Sequence, residues 1–409
     1  MATTLDTINP FRTLIRHRNF RLFWIGQTLS LMGTWMQTMA QGWLALKLTN
    51  NAFLVGLVAA VGSLPILVLS LPAGVVTDRV NKLRLVMICQ SLLLTEALIL
   101  WGLTFTGRIT IGLLLLLATF NGIASAFEIP ARQSLMIELV GRDDLHDAIA
   151  LNSSGFNLAR IIGPAIGAAV IATAGLAWCF AVNAASYLAV LVGLFLIRLP
   201  PWVKPVHTMS PTEGMVEGLV YMAETPVVRA VMLLATVFAI FGIPYLVLMP
   251  VVAQDLLKTG AAGYGVLLSC VGAGGLAGAL FLAAAGQRFR RGQLLAISSY
   301  AFPALLLAFS LSRSEWLARA ILLATGCMMI FNGALTNGIL QAVVPDALRG
   351  RLMAAYSLVV VGLAQVAGSL VAGAVARAIG VDWAIGGGAV IMLSFATYAL
   401  RRYPEIRQV

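Results

Sequence analysis

The chain has 409 residues, of which 60% are hydrophobic and 11% charged, with a formal net charge of +11. A soluble domain carries about 25% charged residues, and a mean hydropathy of +0.93 leaves too little polar surface to coat a particle in water. These values exclude a water-soluble domain and point to an all-α membrane protein, because the apolar runs are too long and too uniform for the alternating strands of a barrel.

A window of about 19 residues predicts twelve apolar spans. They lie near 21–46, 54–77, 85–106, 110–131, 147–173, 177–198, 228–252, 263–286, 293–312, 316–341, 350–379 and 383–400. The connecting segments sort the basic residues. With an interior N-terminus, twenty of the 27 Lys and Arg residues fall on the inner side, six on the outer side, and Arg160 lies within a span. Positive charge stays cytoplasmic, so both termini are expected inside a multi-pass inner (plasma) membrane protein. The basic balance therefore predicts attraction to anionic membrane lipid and no nucleic-acid partner.

The first span carries Gln27, Ser30, Thr34, Thr38 and Gln41 along one helical face, with Gln37 adjacent. Asn121 in span four, Asn157 in span five, Tyr245 in span seven, Asn332 in span ten and Gln365 in span eleven add further polar groups. As a set they are read as the lining of a cavity for a small, mixed-polarity molecule. Helix-to-helix hydrogen bonding, about 0.6 kcal/mol per bond, is the alternative for each one alone.

Glu96 stands near the middle of span three, and Glu128 near the inner end of span four. A charge inside the bilayer costs about 2.5–3.5 kcal/mol on insertion scales, so each is expected to face protein or water and to have a partner. Two readings of Glu128 stand side by side. In one it exchanges a proton during transport, with Arg160 setting its affinity. In the other it forms a static ion pair that orients spans four and five. Glu96 is the second proton-coupling candidate.

In span five, Gly155, Ala159, Gly163 and Gly167 recur every four residues, so small side chains line one face and allow close helix approach. Pro164 removes a helix hydrogen bond there. Gly274 and Gly278 in span eight repeat the spacing. They are expected to pack against another helix, with span five across the cavity as the candidate partner. The long segment 199–227 is read as an inner linker. Ser210, Pro211 and Glu213 there have helix-start spacing, and Met215, Val216, Leu219 and Val220 form a stripe suited to a short helix on the membrane surface.

The chain also repeats itself. Phe-Asn-Gly occurs at 120–122 and again at 331–333. Ala159, Gly163, Gly175 and Trp178 map onto Ala364, Gly368, Gly380 and Trp383 at one constant offset. Each half holds an even number of spans, so both enter the membrane in the same sense. The expected organisation is a six-helix bundle over 1–198, the linker 199–227, and a second six-helix bundle over 228–409.

The link after span two, GVVTDRVNKLR, places Gly74, Asp78, Arg79 and Lys82 in a pattern that resembles the loop signature of the major facilitator superfamily, Gly-x-x-x-Asp-Arg-x-Gly-Arg-Lys. Asn81 stands at the second glycine of that pattern and Leu83 at a basic position. The resemblance implies that this loop is a conformational latch, with Asp78 facing the start of helix eleven. A helix dipole favours an anion there by about 0.3–1 kcal/mol. Gly163, Pro164 and Gly167 resemble the core of the superfamily's antiporter motif, which implies export.

FEIPARQ, followed by IALNSS and ARIIGP, is similar to the branch of enterobactin exporters and macrolide-efflux-like pumps known as transmembrane secretion effectors. The superfamily's helix-four arginine has Ala118 in its place. No Walker A, HExxH, metal cluster or Ser-His-Asp set is present, so neither an enzyme nor a direct ATPase is expected. The expectation is a monomeric, proton-coupled exporter of a small amphipathic molecule, with no cofactor and no metal. An importer or uniporter of the same fold, and a lipid-handling protein, are the rivals.

Overall fold

The computed structural model describes residues 11–199, 220, 222–345, 348, 352–353 and 355–408. The surface helix predicted from Ser210, Pro211 and Glu213 lies outside the described residues. Among the described residues the structure is helical throughout, without a strand.

A short helix, α1 (Phe11–Arg16), leads into α2 (Arg18–Thr49). Next come α3 (Ala52–Arg79), α4 (Lys82–Phe105), α5 (Ile111–Val140), α6 (Leu145–Thr173) and α7 (Leu176–Phe195). The seventh span begins with α8 (Pro226–Val237) and α9 (Tyr245–Val251), each followed by a π-helical turn, Phe238–Gly242 and Val252–Leu256. Then follow α10 (Gly260–Ala285), α11 (Arg291–Leu311) and α12 (Glu315–Val343). A π-helical stretch, Ser357–Leu363, precedes α13 (Ala364–Ile379), and α14 (Val381–Arg402) is followed by a short 3-10 helix, Pro404–Gln408. Eleven of these spans are long and apolar enough to cross a membrane. The remaining long helix is α2, whose 32 residues carry the polar stripe and lower its hydropathy. Together they make the twelve-helix architecture.

Contacts divide the chain into two compact units. The first comprises Met1–Ala40, Val68–Ile109 and Phe120–His207, and the second Gln41–Leu67, Thr110–Thr119 and Thr208–Val409.

In the first unit, α4 packs along α7. The buried face of α4 runs through Val86, Cys89, Gln90, Leu93, Glu96, Ala97 and Leu100, a spacing of three and four that keeps one side turned inward. The facing seam of α7 contains Asn183, Ala184, Tyr187 and Val190. Helix α6 lays its small-residue face on α2. A Cβ on Gly163 would stand 2.6 Å from the Met32 carbonyl and 2.8 Å from Trp35 Cβ, and one on Gly167 would stand 3.1 Å from Met36. Helix α6 runs unbroken through Pro164. Its start is tied to the α1–α2 junction, where Asp144 meets His17 at 2.6 Å and Arg16 at 3.1 Å. The His17 hydrogen bond, aided by the charges of Arg16 and Arg12, holds the Asp144 carboxyl below its ordinary value.

In the second unit, α10 and α12 are close neighbours. The Gly274 face meets the Leu323 carbonyl, and a Cβ on Gly278 would lie 2.9 Å from the Cys327 carbonyl. This corrects the expectation that these glycines pack against span five. Their partner is span ten, because Gly326 on α12 returns the same kind of approach onto Val271 and the two backbones interlock.

The repeat is preserved in the backbone. Gly175 and Gly380, one offset apart, precede α7 and α14 with φ of 99° and 107°. Their ψ values, 166° and 154°, place both in a region open essentially to glycine alone. Trp178 and Trp383 follow in the first turns, both exposed.

Candidate functional site

The most unusual chemistry lies on the α4–α7 seam of the first unit. Glu96 has no exposed surface. Its Oε2 accepts from Gln37 Nε2 of α2 at 2.9 Å and from Asn121 Nδ2 of α5 at 3.3 Å. Gln37 is held from its other end, where Oε1 accepts from Asn183 Nδ2 of α7 at 2.7 Å. Ser186 Oγ donates to Asn183 Oδ1 at 3.0 Å, and Ser125 Oγ to Asn121 Oδ1 at 3.4 Å. Three helices therefore meet at one carboxyl, and α7 joins them through Gln37. Leu93, Ala97, Ala124, Ala184 and Tyr187 form the apolar cluster of this region. Thr34 Oγ1 and the Tyr187 hydroxyl lie 3.2 Å apart. Hydrogen bonds to a buried charged group contribute about 1.5–3 kcal/mol, so the amide donors offset much of the carboxylate's desolvation.

A second acid sits further along the same helices. Glu128 Oε1 accepts from Arg132 Nε at 2.9 Å, one turn along α5, and from Gln90 Nε2 of α4 at 3.2 Å. The guanidinium and the carboxylate are both nearly buried. This places Arg132 as an ion-pair partner of Glu128, while Arg160 lies half-buried on α6.

The loop after α3 is built differently from the signature it resembles. Asn81, at the glycine position, is the N-cap of α4, and its side chain accepts from the Arg84 amide at 3.0 Å. Lys82 pairs with Glu138 of α5. Asp78 and Arg79 are exposed, and open space surrounds the position where a Gly74 Cβ would be.

The remaining polar positions divide by environment. Gln27 is buried, Gln41 and Asn157 are half-buried, and Thr38 is exposed. Thr38 and Asn157 donate to the backbone carbonyls of Thr34 and Ser153 in their own helices. In the second unit Tyr245 is buried beside Phe302, Asn332 donates to Ser299 Oγ at 3.3 Å, and Gln365 is half-buried. Asn183 and Gln90 escaped the sequence reading. A lone amide inside an apolar span signals a buried partner, and Asn183 in span six is such an amide.

A family profile described as transmembrane secretion effector matches residues 7–408. The chain is 27% identical over 266 residues to the staphyloferrin A transporter of Staphylococcus aureus, covering 64% of this chain and 66% of that protein. It is 30% identical over 257 residues to the multidrug efflux pump Tap of Mycolicibacterium fortuitum, covering 61% and 62%. It is 25% identical over 346 residues to the enterobactin exporter EntS of Shigella boydii, covering 82% and 80%. Among solved structures, the nucleoside transporter NupG matches with a TM-score of 0.74 at 14% identity, over 97% of this chain and all of that one. A D-xylose-proton symporter matches with a TM-score of 0.71 at 14% identity, over 91% and 97%. These structural likenesses establish the fold.

Proposed function

Because the chain belongs to the transmembrane secretion effector family of the major facilitator superfamily, we propose that it exports a small amphipathic compound, such as a siderophore or a drug, in exchange for protons. It is a multi-pass membrane transporter of small molecules and not an enzyme. The export direction is supported by the names of two relatives, an exporter and an efflux pump. The charge bias of the connecting segments supports an inner-membrane protein with both termini in the cytoplasm. In this reading two six-helix bundles, 1–198 and 228–409, alternate access to a central pocket, and Asp78 acts as the latch of the inner side.

The observation that carries proton exchange is Glu96, fully buried and gripped by amides from α2 and α5. Protonating this carboxyl removes the charge to which the Gln37 and Asn121 amides are held, so proton binding is coupled to the setting of α2 and α5 against α4. Glu128, already neutralised by Arg132, acts as a fixed brace between α4 and α5.

Reconstitution in vesicles with an imposed pH gradient tests this. Radiolabelled enterobactin, staphyloferrin A and a cationic dye are the probes. The expected result is accumulation that rises with the gradient and collapses when it is dissipated. Accumulation indifferent to the gradient would reduce the protein to a uniporter.

A further inference from the structure

The second unit contains a cavity of about 810 Å³ where the end of α10, the turn after it, the start of α11 and the second half of α12 come together. Small-molecule sites typically span about 300–1,000 Å³. Leu282, Phe289 and Leu335 give it apolar walls, and Arg291 and Gln341 give it polar groups. Gly338 keeps it open, since a Cβ there would meet only Arg291 Nη1, at 3.9 Å.

Phe289 belongs to a stack. Its ring lies 6.2 Å from Phe281 at 26°, and Phe281 lies 5.5 Å from Phe331 at 26°. Phe331 is buried, whereas Phe281 and Phe289 are 42% and 48% exposed. An exposed aromatic platform beside a guanidinium is a specific combination. The guanidinium presents a planar fork to carboxylate or phenolate oxygens. The ring face accepts a flat apolar body, with offset stacking contributing about 0.5–1.5 kcal/mol beyond burial. The Gln341 amide is oriented by its hydrogen bond to Asn337 Oδ1. Arg288 and Arg290 stand in the same turn, so the electrostatic complement of the cavity mouth is an anion.

We propose that this cavity is a loading site for an anionic amphipathic solute bearing an aromatic ring, with the anion on Arg291 and the ring on Phe289, which Phe281 backs from outside the lining. The proposal rests on the export reading and gives the exported cargo a chemical class. The basic turn puts the site on the cytoplasmic side, where an exporter collects cargo.

The test uses the full-length protein in proteoliposomes and two labelled probes, 2,3-dihydroxybenzoylserine and its uncharged methyl ester. Arg291→Gln is expected to raise KM for the acid about tenfold, a loss of about 1.4 kcal/mol, without changing kcat or the KM of the ester. Gly338→Leu fills the cavity without touching the helix backbone and is expected to raise KM for both probes. An unchanged KM for the acid in both variants, with transport intact, overturns the site and leaves export standing. Wild-type export of a cationic dye but of neither probe overturns the anionic class alone. No export of any probe overturns the export reading and the site with it. An Arg291→Gln effect that appears in vesicles containing phosphatidylglycerol and vanishes in pure phosphatidylcholine would assign the cavity to lipid and overturn the solute site.

Discussion

Asn121 and Asn332 occupy the same place in the repeated Phe-Asn-Gly triplet, and each sends its amide to the preceding helix. In the first unit the acceptor is a carboxylate, Glu96 on α4. In the second it is a hydroxyl, Ser299 on α11. The offset that carries Gly175 onto Gly380 also carries Asn183 onto Gly388 and Tyr187 onto Met392. Where the first unit holds a chain of amides, the second holds rings and a thioether. Phe238 and Phe302 stand 4.5 Å apart, and a Cβ on Gly242 would lie 3.1 Å from Met392 Sδ. Duplication kept the skeleton and let the chemistry diverge. One copy holds an ionisable group, and the other holds a packed apolar region with π-helical turns.

The largest expected effect tests that divergence directly. Glu96→Gln keeps shape and removes the titrating group, so pH-gradient-driven transport should fall about tenfold or more, at least 1.4 kcal/mol of coupling. Downhill exchange should persist. Ser299→Ala should leave gradient-driven transport nearly unchanged, and an equal loss there would break the asymmetry. Both are read as initial rates in proteoliposomes.

Packing comes next. Gly163→Leu and Gly274→Leu each force a side chain against a neighbouring backbone, and overpacking typically costs about 1–3 kcal/mol. Gly274 opposes a carbonyl more closely than Gly163 does, so its variant should be the less stable in thermal unfolding of the purified protein. The reverse order would mean that the α6–α2 seam, and not α10–α12, is the tighter one.

The glycine pair sharpens the comparison from the side of likeness. Gly175→Ala and Gly380→Ala should each cost about 1–3 kcal/mol, because both backbones lie in a region closed to other residues. Matched losses in melting temperature are expected, and a silent change at one position would show that the two turns are not equivalent.

The smallest effect belongs to the first unit alone. The Asp144 carboxyl, held low by His17 and Arg16, contributes stability above its unfolded value and loses it as pH falls through the folded one. Unfolding temperature should therefore drop on acidification below about pH 4, and Asp144→Asn should flatten that part of the curve. An unchanged curve would remove the α1–α6 tie from the account.

Much of this was legible in the chain. The apolar runs, the small-residue face of span five and the offset between the halves all depend on local spacing, and spacing is what a sequence displays. The buried node was only half legible. Gln37 and Asn121 stand out as polar residues in apolar helices, but the same periodicity serves a water-lined pocket and a dry junction equally well. What separates them is Asn183, contributed from a distant helix and meeting Gln37 only through folding. Arg132 stands one turn along α5 from Glu128, a spacing the chain displays, whereas Gln90 reaches Glu128 only through folding. The π-helical turns of spans seven and eleven leave no periodic trace, since one added residue per turn rotates everything beyond it.

The polar stripe of α2 has a consequence for how the protein is made. A translocon sorts each emerging segment by its own free energy of partition into lipid. This helix emerges before α4, α5 and α7, and it is the least oily of the long helices. Arg12, Arg16, Arg18 and Arg21 resist passage of its leading end, but its buried amides find their partners only when α4 and α7 have been synthesised. The helix is therefore kept from crossing by charge first and is anchored in the bilayer only afterwards, by its neighbours. A ribosome arrested after α2 alone should yield a product that washes out of the bilayer, while arrest after α7 should not.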